Sequence, residues 1–153
     1  MFNLKNLFQN TDSDELVDKE SPEKKIQIAT CALFLEIANS DEHFSDQERN
    51  AIIDILKKEF SLSEEEVHAL IEKSEYTLDE SIDLWQFTNL INHNFSDEEK
   101  TKVLENLWKI IYADEKLDAH EDYLAHKISN LLRLPHKTLI ETKLKVKKHA
   151  KRN

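Results

Sequence analysis

Glycine is absent from all 153 residues. At the average usage of about 7%, a chain of this length would hold roughly ten. Phosphate-cradling loops of the P-loop or Rossmann kind need glycine for close backbone approach, so both are excluded. Tight hairpin turns need residues at positive φ, which disfavours a fold built on strand hairpins. Helices remain. The two prolines, Pro22 and Pro135, each stand where a helix can begin. Pro22 follows Ser21, a good N-cap, and takes the tolerated first helical position.

The sequence marks further helix starts. Capping boxes pair Ser45 with Glu48, Ser63 with Glu66, Thr77 with Glu80, Ser96 with Glu99 and Asp118 with Glu121. In each, the first side chain can accept from an orphan amide while the glutamate reaches back to the cap. Together with apolar spacings of three and four, they predict helices at 22–39, 46–59, 64–74, 78–93, 97–112, 119–132 and 136–150. One apolar stripe is Ile28, Cys31, Ala32, Leu35 and Ala38. A second is Leu84, Phe87, Ile91 and Phe95, and a third is Leu104, Leu107, Trp108 and Ile111. Trp85 and Trp108 read as core aromatics. The expected core comprises Leu33, Ile37, Phe44, Ile52, Ile55, Leu104, Trp108, Ile111, Leu117, Leu124, Ile128 and Leu131. The fold class is all-α, one compact bundle of about seven helices.

Charge narrows the function. The net charge is −10, unevenly spread. All 31 acidic and 15 of the 21 basic side chains precede Lys143, so residues 1–142 carry −16. Such a body repels phosphate backbones, and nucleic acid is not an expected partner. Lys143, Lys145, Lys147, Lys148, Lys151 and Arg152 follow with no acid among them. Cations at a helix C-terminus suit the macrodipole, which is the preferred reading. Contact of this basic end with an acidic lipid surface or a protein is the other. No apolar run approaches the roughly 20 residues of a membrane span, so no transmembrane segment is expected. MFNLKNLFQN is too short and too polar for a secretory signal. Residues 1–20 are expected to form a flexible or loosely packed segment, 21–150 the helical domain and 151–153 a basic tail. The one cysteine, Cys31, lies among apolar neighbours and reads as a core residue in a cytoplasmic protein.

The chain also carries a doubled unit. LEIANSDEHFSDQE (35–48) aligns without a gap with WKIIYADEKLDAHE (108–121). Asp41 and Glu42 match Asp114 and Glu115, Phe44 matches Leu117, and Glu48 matches Glu121. In each copy an apolar helix ends in an acidic turn, one apolar residue follows, and a capped helix begins. An internal pseudo-symmetric helix–acidic turn–helix repeat is the natural reading. Both turns, and YADEKLDAHEDYL most closely, are similar to the A-D-G-x-[IL]-x-x-x-E signature of TerB-like, tellurite-resistance-associated domains. LWQFTNLIN and LLRLPHKTLIETKLKVK also look like the stand-alone branch of that family. The resemblance covers roughly residues 21–150. It implies an all-α fold, an acidic patch proposed to bind metal ions, and links to tellurite and other stress responses. This chain departs from the signature: Glu42 and Glu115 stand at its glycine, and Ser40 at its first alanine. Were that glycine left-handed, glutamate there would cost roughly 1 kcal/mol or more.

The acidic turns support one chemical reading. Asp41, Asp114, Glu42, Glu48, Glu115, Asp118 and Glu121 are candidate ligands for a divalent cation. Two carboxylates about 4 Å apart repel by about 4 kcal/mol at an effective dielectric near 20, and a cation removes that cost. Oxygen-only ligation favours Ca²⁺, Mg²⁺ or Mn²⁺ over Zn²⁺. Against this stands helix capping, which accounts for Glu48, Asp118 and Glu121 but leaves Asp41, Glu42, Asp114 and Glu115 unexplained. Neither turn has the spacing of an EF-hand loop. His43 and His120 could join a softer site, but all seven histidines read as exposed polar residues. The alternative function is a protein-interaction adaptor using the acidic face or the basic C-terminal helix. No nucleophile–base pair can be assembled from the sequence, so no catalytic residue is assigned and the protein is not expected to be an enzyme. Nor does any residue pattern address an oxyanion such as tellurite.

Overall fold

The computed structural model describes residues 21–39, 45–80, 84–114 and 119–152. Among these there are seven α-helices and no strand: α1 Pro22–Asn39, α2 Asp46–Phe60, α3 Glu64–Asp79, α4 Trp85–Asn94, α5 Asp97–Ile111, α6 Ala119–Leu131 and α7 His136–Arg152. A single 3₁₀ turn, Tyr112–Asp114, follows α5. The expected flexible segment 1–20, and the expected core residues Phe44 and Leu117, lie outside the described residues.

Serine side chains start the helices as the sequence requires. Ser21 Oγ accepts from the amide of Lys24 at 3.1 Å. Ser63 with Glu66 and Ser96 with Glu99 form complete reciprocal capping boxes. Ser45 accepts from the amide of Glu48, but its hydroxyl turns onto the Glu48 carboxylate at 3.1 Å. The fourth box does not form. Thr77 lies inside α3, buried, with its hydroxyl donating to the carbonyl of Lys73 at 2.9 Å. Helix α3 therefore runs through to Asp79, and the next helix starts at Trp85 rather than at residue 78. The buried face of Val67, Leu70, Ile71, Ser74 and Thr77 carries the helical period across the local start signal.

Helices α1 and α5 form the centre. Every residue of α1 from Gln27 to Leu35 is buried, with Ile37 and Ala38. The expected single stripe is thus too narrow, because a helix that is apolar on all sides must be covered on all sides. It touches α2, α3, α4, α5 and α6. In α5, residues 103–108 are buried throughout, and the helix packs on α1, α2, α6 and α7. Leu33, Ile37, Ile52, Leu104, Trp108, Ile111, Leu124 and Ile128 are in the core as expected, while Ile55 and Leu131 pack half-buried against it. Trp85 does not belong there: it is 51% exposed. Leu84, Phe87 and Ile91 set the inward face of α4, and its first residue falls to one side of it.

With no glycine available, two other residues take left-handed backbone at helix ends, Ser61 (φ 53°) after α2 and Arg133 (φ 60°) after α6. The end of α6 is also held from outside. Asn92 Nδ2 donates to the carbonyl of Leu131 at 2.9 Å, and Lys100 Nζ to that of Leu132 at 2.9 Å.

Candidate metal site at the two acidic turns

Of the seven candidate ligands, Asp41, Glu42, Glu115 and Asp118 lie outside the described residues, and Asp114 is described only as the last backbone position of the 3₁₀ turn. Glu48 and Glu121 are described fully. Each is the third residue of the helix that follows its acidic turn. Each is buried, Glu48 at 0% and Glu121 at 1% exposure.

Their burial sets them apart from the capping glutamates of two other helices. Glu66 and Glu99 hold the same third position in α3 and α5, complete their capping boxes, and stay exposed. Hydrogen bonds from Ser63, backbone first and then hydroxyl, hold the Glu66 carboxyl below its usual range. The third-position glutamates therefore divide by location. Those on ordinary connections face water, and those behind the acidic turns face the protein. Taking a carboxylate out of water is costly unless donors or positive charge meet it. The Ser45 hydroxyl supplies one such donor to Glu48 Oε1.

The bundle brings the flanks of the two turns towards each other. Glu59, at the far end of α2, lies 4.0 Å from Lys102 in α5. Tyr112 is ten residues beyond Lys102, about 15 Å of helix. The same distance back along α2 from Glu59 reaches Arg49, and α2 contacts Tyr112–Asp114. The first turn of α2, which carries Glu48, thus approaches the lead-in to the second acidic turn. Helix α6 also contacts α1.

Behind the second turn stands a cluster that sequence reading missed. Tyr112 stacks on Trp108 with ring centroids 6.2 Å apart and planes at 28°. Lys143 Nζ lies 5.2 Å over the Trp108 ring and 3.0 Å from Asp122 Oδ1. His126 Nε2 approaches the other Asp122 oxygen at 3.6 Å. Burial pushes the Tyr112 phenol up, opposed by Lys143 and aided by Asp122. Lys143 and Lys145, expected only as cations at the basic end of the last helix, are anchors: Lys145 Nζ meets Glu105 Oε2 at 3.3 Å. The only advance signal was the run of lysines at helical spacing opposite an acidic body.

Among the described residues, no group of three or more His, Cys, Asp or Glu side chains is arranged to hold a metal ion. Five of the seven candidate ligands have side chains outside that set. The two carboxylates within it are oxygen donors of the kind a hard divalent cation takes.

No match to the chain was found among curated proteins or among solved structures. A family model described as tellurite resistance protein TerB matches residues 27–144. That span takes in α1 from Gln27, the whole of α2 to α6, both acidic turns and most of α7. The chain belongs to the TerB family.

Proposed function

We infer that this protein binds a divalent cation at its two acidic turns and works as a non-catalytic, cation-responsive protein of a reducing cytoplasm. The observation that supports the reading is the burial of Glu48 and Glu121, against the exposure of Glu66 and Glu99 at the same helical position. A cation at the turns would relieve the mutual repulsion of the acids gathered there. The donors are oxygen only, so Ca²⁺, Mg²⁺ and Mn²⁺ are the ions expected, ahead of Zn²⁺. Within this reading, Glu48 and Glu121 act from below the turns, and Asp41, Glu42, Asp114, Glu115 and Asp118 supply the outer ligands. The reducing compartment rests on the single, buried Cys31.

The test is an amide NMR titration of chelator-stripped full-length protein with each of the four ions in turn. Saturable shifts or broadening confined to residues 40–48 and 112–121 are expected. The absence of localised change up to millimolar ion overturns the reading and leaves the acids as helix-start architecture.

A further inference from the structure

A cleft of about 360 Å³ opens between the first half of α1, the C-terminal ends of α2 and α4, and the first half of α5. It lies away from the acidic turns: Phe60 at its wall closes α2, whereas Glu48 opens that helix. Phe34 and Val103 in its lining belong to the core, while Ile26, Phe60 and Phe95 are only half-buried against it. A hollow of this size takes a small apolar body or the tips of a few large side chains.

The chain carries such side chains close by. Glu23 and Ile26 line the cleft from the first turns of α1, and twenty residues precede Ser21. Two apolar groups stand among those twenty. Leu16 and Val17 sit between Asp14, Glu15 and Asp18. Phe2, Leu4, Leu7 and Phe8 sit in a stretch, residues 1–11, that holds Lys5 and no acid. The rim of the cleft carries the exposed Glu23, Glu59 and Glu99, which disfavours the acid-flanked group and admits the acid-free one. Leu4, Leu7 and Phe8 also have the spacing of three and four that sets them on one face of a helical turn.

The connection is long enough. Phe8 stands 14 residues before Pro22 (22 − 8). A flexible chain of that length spans roughly 20 Å on average. Phe34, the lining residue farthest along α1, is 12 residues beyond Pro22 (34 − 22), about 18 Å of helix.

We propose that residues 4–8 fold back on their own chain and seat Leu4, Leu7 and Phe8 in this cleft, covering Ile26, Phe60 and Phe95. The acids of residues 12–20 stay in water beyond the rim. Docked in this way, the segment straps the start of α1 to the ends of α2 and α4 and to α5. The proposal does not depend on cation binding at the acidic turns, and its test contains no metal.

Cys31 is fully buried, so a thiol-reactive nitroxide labels Asn10→Cys in the full-length chain and spares the native thiol. Amide NMR spectra are compared before and after reduction of the nitroxide. The amides of residues 26–34, 59–60, 95 and 102–106 are expected to lose most of their intensity while the nitroxide is active. The same labelled chain with Leu4, Leu7 and Phe8 all changed to Ser should recover intensity at 59–60, 95 and 102–106. These three positions lie outside the helical bundle, so unchanged shifts elsewhere show that the fold is kept. Equal broadening with and without the three apolar side chains reports a tether alone and overturns the proposal. Broadening centred on another face, or confined to residues next to Ser21, overturns it as well. Broadening of an isotope-labelled chain by a nitroxide on a second, unlabelled chain puts another copy in the cleft and overturns the intramolecular contact.

Discussion

Lys100 Nζ donates to the carbonyl of Leu132 at 2.9 Å, so a side chain from the first turn of α5 terminates α6 from outside. Lys100 is buried, and its ammonium also lies 3.5 Å from Asn92 Oδ1 and 3.3 Å from Asp97 Oδ1. Lys100→Met keeps the apolar stem and removes the donor. It should destabilise the fold by about 1–3 kcal/mol, the cost of leaving a buried carbonyl unsatisfied. Urea unfolding should show a lower midpoint at unchanged slope. An unchanged midpoint would mean that water replaces the ammonium.

The left-handed positions offer a gain in stability. Ser61 and Arg133 hold φ of 53° and 60°, where a side chain costs what glycine does not. Ser61→Gly and Arg133→Gly should each stabilise by about 1 kcal/mol, raising Tm by about 2–4 °C in a domain this size. Calorimetry on the single variants checks this. A fall in Tm for either would show that its side chain contributes more than its backbone costs.

Cys31 should impose an alkaline limit. Burial is the main cause pushing its thiol from 9.0 up to about 12, opposed by the Ser74 hydroxyl and aided by Glu75. The folded form thus keeps its proton where the unfolded chain has lost it. The contribution is whole below pH 9 and declines between pH 9 and pH 12, by up to about 1.4 kcal/mol per pH unit. Wild-type stability measured from pH 8 to pH 10.5 should fall more steeply than that of Cys31→Ala. Parallel curves would show that other groups dominate. In the native protein at pH 8, the thiol should react with iodoacetamide only as fast as the fold opens.

The two kinds of third-position glutamate provide an internal control for cation binding. At a cation concentration 100 times Kd, binding should stabilise by about 2.7 kcal/mol. Glu48→Gln combined with Glu121→Gln should abolish this rise in Tm, while Glu66→Gln combined with Glu99→Gln should leave it intact. Loss in both pairs would point to general screening of an acidic surface instead of a site.

Much of the fold could be read because it is set locally. Ser45, Ser63 and Ser96 cap the helices they precede, and Leu104 and Trp108 lie where a period of 3.6 puts them. The misreadings arose where distant packing decides. Thr77 with Glu80 satisfies a start motif, yet Thr77 is buried within a helix that continues past it. Trp85 has the composition of a core residue and the register of a surface one. At the candidate site, the positions of Glu48 and Glu121 were legible from the repeat, but their burial was not. Nothing in the four residues around them distinguishes them from Glu66 and Glu99.

The all-round burial of α1 has a bearing on how the chain is made. Residues 27–38 leave the ribosome before the helices that enclose them, and α6, which covers part of α1, ends only at Leu131. A long, wholly buried segment is therefore synthesised before its cover is complete. A nascent chain released before Asp97 would lack α5 and α6 and leave part of that helix uncovered. Such fragments should associate or be held by chaperones, and folding on the ribosome should become productive only as the second half of the bundle emerges.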